Sequence, residues 1–124
     1  MEVASPLALP LVRLGNPPLD PGFYLYCGSA RGPGGLKARV GRHLRRNKQC
    51  RWHVDHITSQ CTAIAAMLTD EFSECDLRRR VEDRLSTTMP IEGFGASDCD
   101  TCQSHLVMLQ CQSRIVRRTV NFGG

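Results

Sequence analysis

The chain has 124 residues, of which 41% are hydrophobic and 23% charged, with a formal net charge of +4. A chain of that length is most simply one domain, residues 1–124, able to bury about two-thirds of the surface its unfolded form exposes. The composition excludes collagen-like and disordered classes. No apolar run reaches the ~18 residues of a membrane span, so no membrane partner is expected.

The first residues, MEVASPLALPLVRLG, are apolar but lack a basic leading segment and are interrupted by prolines. They do not read as a signal peptide. The chain has seven cysteines, an odd number, and only Cys99 and Cys102 are closely spaced. Without a secretory signal, reduced thiols are the default, and the expected location is the cytoplasm. The charge is uneven. Arg31, Lys37, Arg39, Arg42, Arg45, Arg46, Lys48 and Arg51 form a block with no acidic residue between them. Such a block favours a polyanion, DNA in the first place with RNA not excluded, although a solvated helix face has the same composition.

In chain order, Leu7–Leu14 reads as an edge strand weakened by Pro10. A Pro/Gly-rich loop follows, and Phe23–Cys27 is an aromatic strand, so the two predict a hairpin. Alternation puts Tyr24 and Tyr26 on one face. Beyond the glycine-rich turn, Leu36–Arg46 is helical, with Leu36, Val40 and Leu44 as a narrow apolar stripe and Arg39 and His43 one turn apart beside it. Arg51–Ile57 (RWHVDHI) alternates and predicts a strand, with His53 and Asp55 on one face. Cys61–Leu68 reads as a strand, with a buried helical segment as the other reading. Thr69-Asp70-Glu71 marks a helix start, and that helix runs to about Leu85. Thr87–Asp100 reads as a loop, His105–Cys111 as a last strand, and Arg114–Gly124 as a basic tail. The predicted fold is α/β of the α+β kind: a small, mainly antiparallel sheet of three or more strands flanked by helices.

Several ordered blocks resemble one family. Tyr26-Cys27-Gly28 at the end of a strand, then Arg39 and His43 on a helix, then Glu74 on a later helix, are similar to the GIY-YIG nuclease superfamily. The closest likeness is to its small archaeal and bacterial branch, whose domain is sometimes fused to DNA-repair enzymes. The blocks that carry it are Tyr24–Ala30 (YLYCGSA), Trp52–Ile57 (WHVDHI), Glu74–Leu77 (ECDL), and Gly93–Cys99 (GFGASDC) with Ser104-His105-Leu106. One feature departs from the pattern. The first strand of the family carries Gly-x-Tyr, and Met1–Val12 contains neither glycine nor tyrosine. Either the natural start lies upstream or the site has lost a tyrosine whose place Tyr24 could take.

The resemblance implies a metal-dependent endonuclease hydrolysing DNA phosphodiester bonds, with DNA repair as a setting. It implies catalytic roles for Tyr26, Arg39, His43 and Glu74, with Tyr24, His53 and His105 as further site residues. Arginine suits the transition state because its planar, permanently charged fork matches a phosphate. Glu74 would hold Mg²⁺ or Mn²⁺, and Glu71 is the fallback carboxylate. Tyrosine ionises near ~10, so Tyr26 needs a lowered pKa or a helper, and His43 is the natural helper. Arg31, Lys37, Arg42, Arg45, Arg46 and Lys48 would contact nucleic acid.

Two other readings stand beside this one. A nucleic-acid-binding module could keep the basic helix and lack cleavage, which the missing first-strand tyrosine favours. Cys99-x-x-Cys102-x-x-His105 also has zinc-ligand residue types, with Cys61, Cys111 or His53 as a fourth ligand brought in by folding.

Overall fold

The computed structural model describes residues 1–29, 34–69, 71–95 and 103–110. Its strands are β1 (Glu2–Val3), β2 (Leu7–Ala8), β3 (Pro18–Leu19), β4 (Gly22–Tyr26), β5 (Thr87–Thr88) and β6 (Leu106–Leu109). Its helices are α1 (Gly35–Leu44), α2 (Asp55–Thr58) and α3 (Glu74–Arg84), with a 3₁₀ turn at Val12–Leu14. The α/β composition and the antiparallel sheet agree with the sequence reading. One sheet has the order β1-β4-β6-β5, and β2 pairs with β3 in a second.

The aromatic strand β4 lies between two neighbours. Glu2 pairs with Phe23 on one side, while Tyr24, Leu25 and Tyr26 pair with Met108, Val107 and Leu106 on the other. The expected hairpin of Leu7–Leu14 with Phe23–Cys27 therefore does not form. Pro10 ends the first segment after Ala8, the chain turns through Val12–Leu14, and Gly15 closes that turn in the left-handed region. Leu7 then pairs with Leu19.

Two further strand expectations also fail. The Arg51–Val54 stretch is a turn that leads into α2, because the Asp55 carboxylate accepts from the amides of Arg51 and Trp52. A local side-chain acceptor of this kind competes with a ladder for backbone donors. Cys61–Leu68 has one isolated bridge, Glu2 to Ala63, and is otherwise irregular. The later helix begins at Glu74 rather than Thr69, because Ser73 caps it: its hydroxyl accepts from the Asp76 amide at 3.1 Å. Asp70, Ala96–Cys102 and the basic tail lie outside the described residues.

The core gathers Leu9, Leu19, Tyr24, Ile57, Phe94 and Leu106, each at most 1% exposed. Neither α1 nor α3 contributes a fully buried residue. The apolar stripe of α1 is present, but Leu36 and Leu44 remain 39% and 43% exposed. Leu36, Val40 and Leu44 from α1 and Leu77 and Val81 from α3 line one groove of about 240 Å³ along β4.

Phe94 is fully buried and contacts the rings of Tyr26 and His53. Phe94→Ala is expected to lower the unfolding free energy in urea by about 3–5 kcal/mol. Val12→Ala, at a side chain 79% exposed, should change it by less than about 0.5 kcal/mol.

Candidate functional site

Tyr26 ends β4 and presents its ring to both the helix α1 and the core. Its ring centroid lies 6.2 Å from that of His43 and 6.2 Å from that of Phe94, edge-on in each case. Two glycines leave room for it. A Cβ at Gly28 would stand 2.8 Å from Tyr26 Cε1, and one at Gly95 would stand 2.7 Å from Cε2. Both distances are shorter than real Cβ contacts, so any side chain at either position displaces the phenol. Tyr26, Arg39, His43 and Glu74 all line the groove along β4. The four residues singled out in the sequence are thus brought together from β4, α1 and the first turn of α3.

Behind α1 lies a carboxylate with no solvent exposure. Oδ2 of Asp55 accepts from the Arg51 amide (2.8 Å), the Trp52 amide (2.9 Å) and Arg42 Nη2 (2.7 Å). Lys48 Nζ lies 4.0 Å from Oδ1. Lys48 also donates to the carbonyls of Arg42 and His43 (3.1 and 3.0 Å) and to the Thr58 hydroxyl. It therefore caps the C-terminal end of α1, where a cation is favoured. The turn at Arg51–Val54 carries Trp52, and the indole lies beneath two guanidiniums. Arg39 Cζ is 4.1 Å and Arg42 Cζ 4.6 Å from the ring centroid, within cation–π range.

A second cluster flanks Tyr26. The Gly95 amide donates to His53 Nδ1 at 2.9 Å, and His53 packs on Phe94. His105 is buried, and its Nε2 lies 3.6 Å from Cys75 Sγ. Cys75 is disulfide-bonded. The expectation of reduced thiols holds for Cys27, Cys50 and Cys61 and fails at Cys75. Of the expected zinc set, Cys99, Cys102 and Cys111 lie outside the described residues. Cys61 is buried in the core beside Thr58, its thiol 3.7 Å from the Thr58 carbonyl oxygen. Among the described residues no three His, Cys, Asp or Glu side chains gather as a metal-binding group. Glu74 stands as a single half-buried carboxylate on the groove wall.

The protonation states sort the site. Burial pushes the Tyr26 phenol above its ordinary value; Arg39 opposes that, while Glu74 and Asp55 add to it. Of the two alternatives, a lowered pKa or a helper, the lowering does not occur, so Tyr26 stays protonated at neutral pH. Burial holds His43 below its usual value, and Lys48, Arg39 and Arg42 lower it further against the opposing charge of Asp55. His43 is therefore neutral near pH 7 and can accept a proton. Burial works to raise the Asp55 carboxyl, but bonds from the Trp52 and Arg51 amides and from Arg42 outweigh it and hold it ionised.

The remaining predicted residues divide. Lys37, Arg45 and Arg46 are exposed, and the Arg46 guanidinium also donates to the Cys61 carbonyl. Arg42 and Lys48 direct their charge inward to Asp55. Tyr24 is buried, and its hydroxyl donates to the Asp20 carbonyl. Arg31 lies outside the described residues. Sequence reasoning placed His53 and Asp55 on one face of a strand and Trp52 on the other, and so missed the stacked Trp52. The usable signal was an aspartate three residues after a potential amide donor, the spacing of a local turn.

His43, His53 and His105 all lie below their usual 6.5, with burial the leading cause in each. The unfolded chain thus binds protons that the folded chain refuses as pH falls through 6.5. The urea midpoint is expected to drop between pH 7.5 and pH 5.5, well above the range where Asp55 titrates. His43→Asn should reduce that slope, with His53 and His105 supplying the rest, and a midpoint constant over this window would contradict the shifts.

No curated protein and no solved structure matches the chain. A family model, described as "Domain of unknown function DUF123", matches residues 1–123. The groove-lining Tyr26, Arg39, His43 and Glu74 all fall inside that match, and the chain belongs to this family.

Proposed function

We propose that the chain is a metal-dependent endonuclease that hydrolyses DNA phosphodiester bonds, as its resemblance to GIY-YIG nucleases implies. The observation that supports this most is the convergence of Tyr26, Arg39, His43 and Glu74 on one groove, with Lys37 exposed on the helix that carries Arg39 and Arg45 and Arg46 exposed just after it. In this reading a phosphate lies against Arg39. Water attacks phosphorus in line, the bond to the 3′ oxygen breaks, and the water's proton passes to neutral His43. Tyr26, still protonated, donates a hydrogen bond that orients the water or the phosphoryl oxygen. The Arg39 guanidinium stabilises the added negative charge without reorganising. A single carboxylate suits a hard cation that keeps several waters, so Glu74 would hold Mg²⁺ or Mn²⁺. That ion would supply Lewis-acid stabilisation of the leaving oxygen.

The proposed setting is the cytoplasm and DNA repair. The free thiols of Cys27, Cys50 and Cys61 support the first, and the oxidised Cys75 weighs against it. No helix among the described residues is long and apolar enough to cross a membrane.

The second reading is a nucleic-acid-binding module without cleavage. It is favoured by the raised pKa of Tyr26 and the absence of Gly-x-Tyr from the first strand. Plasmid, flap DNA and single-stranded RNA incubated with Mg²⁺ or Mn²⁺ separate the two. Nicking is expected with metal and not with EDTA, and Arg39→Ala should slow it by about 10²–10³-fold, the scale of losing one transition-state donor. Glu74→Ala should abolish the metal-dependent nicking. Binding without nicking of any substrate would leave only the module.

A further inference from the structure

We propose that Trp52 and Asp55 are positioning residues for the Arg39 guanidinium, acting through one stacked contact rather than by touching phosphate. Arg39 reaches the groove from the flank of α1, and a long side chain there samples many rotamers. Stacking over an indole removes part of that freedom in advance, and the planar fork of the guanidinium matches a phosphate. The indole is fixed in turn. Its own amide and that of Arg51 both donate to Asp55 Oδ2, and the same oxygen takes Arg42 Nη2 at 2.7 Å. Arg42 then approaches the same ring at 4.6 Å. One buried oxygen thus sets the turn, the ring and the second guanidinium.

The charge arrangement fits this role. An exposed carboxylate beside Arg39 would repel a phosphate, but Asp55 is fully enclosed behind the turn. Its charge is directed at Arg42 and two backbone amides, and Lys48 lies close by. Trp52 carries no charge and is itself 37% exposed. Neither residue was given this role by the sequence pattern, which placed both on a strand.

Trp52 is the only tryptophan, so its emission reports on the contact directly. Arg39→Ala is expected to change the emission of the folded protein, whereas Arg79→Ala, on the exposed side of α3, leaves it unchanged. Trp52→Leu should lower kcat for nicking by about tenfold, the scale of one stacked cation–π contact, with KM altered by less than about twofold. Trp52→Phe should retain most of the rate. In the Arg39→Ala background Trp52→Leu should have no further effect, because the two act as a unit. Asp55→Asn should follow Trp52→Leu in both readouts. Additive rate losses, or emission indifferent to Arg39→Ala, would overturn the proposal. The activity arm rests on the nuclease reading. If the unaltered protein nicks nothing, that reading fails, and the emission arm still decides this one.

Discussion

The geometry of the site depends on a charge that water never reaches. Enclosing the Asp55 carboxylate is costly unless every lone pair in reach finds a donor. The cost is offset in part: two amides from the preceding turn and a guanidinium from α1 all donate to Oδ2, whereas buried Oδ1 has no hydrogen bond among the described residues and only the Lys48 ammonium at 4.0 Å. Each donor is thereby tied to the others. Lys48 links the end of α1 to α2, and Arg42 links the middle of α1 to the turn that precedes α2. The orientation of α1 against β4 is therefore set by polar contacts at its C-terminal half. Its apolar stripe lines a groove and does not pack into the core.

That division explains which parts of the fold could be read in the sequence. Strands β4 and β6 follow from aromatic and β-branched runs with glycine or polar boundaries. Helices α1 and α3 follow from apolar residues at helical spacing. Periodicity identifies which side of a helix is apolar, but it does not say what covers that side; hence the stripe Leu36, Val40, Leu44 was legible and its exposure was not. The segment Arg51–Ile57 failed for a different reason. Alternation looks the same whether backbone donors go to a neighbouring strand or to a side chain three residues along, and here Asp55 took them. The hairpin failed because Pro10 and Gly15 turned the first segment away from β4 and onto β3.

The grouping of the candidate residues was legible in part. Arg39 and His43 share a helix side by spacing alone, and Tyr26 was marked by its place at a strand end. Their chemistry was not legible, because it depends on burial. The sequence left two alternatives open, a lowered phenol or a helper beside it. The enclosure that lifts the phenol also depresses the imidazole, separating a proton donor from a proton acceptor across one edge-on contact. Opposed shifts in adjacent groups are a common means of assigning acid and base roles at neutral pH. The basic block also divides, with Lys37, Arg45 and Arg46 facing solvent and Arg42 and Lys48 serving the interior. The cationic surface is therefore narrower than the composition suggests.

The two glycines beside Tyr26 have a consequence for how this domain can vary. Gly28 follows the strand that bears the tyrosine, whereas Gly95 comes from a turn late in the chain, yet each faces an edge of one ring. Together they form a mould for a six-membered ring, and positions 26, 28 and 95 are a linked set. A library that randomises one of them alone would return glycine or tyrosine. New solutions would come only from changing all three, with a smaller group at 26 making room for side chains at the other two.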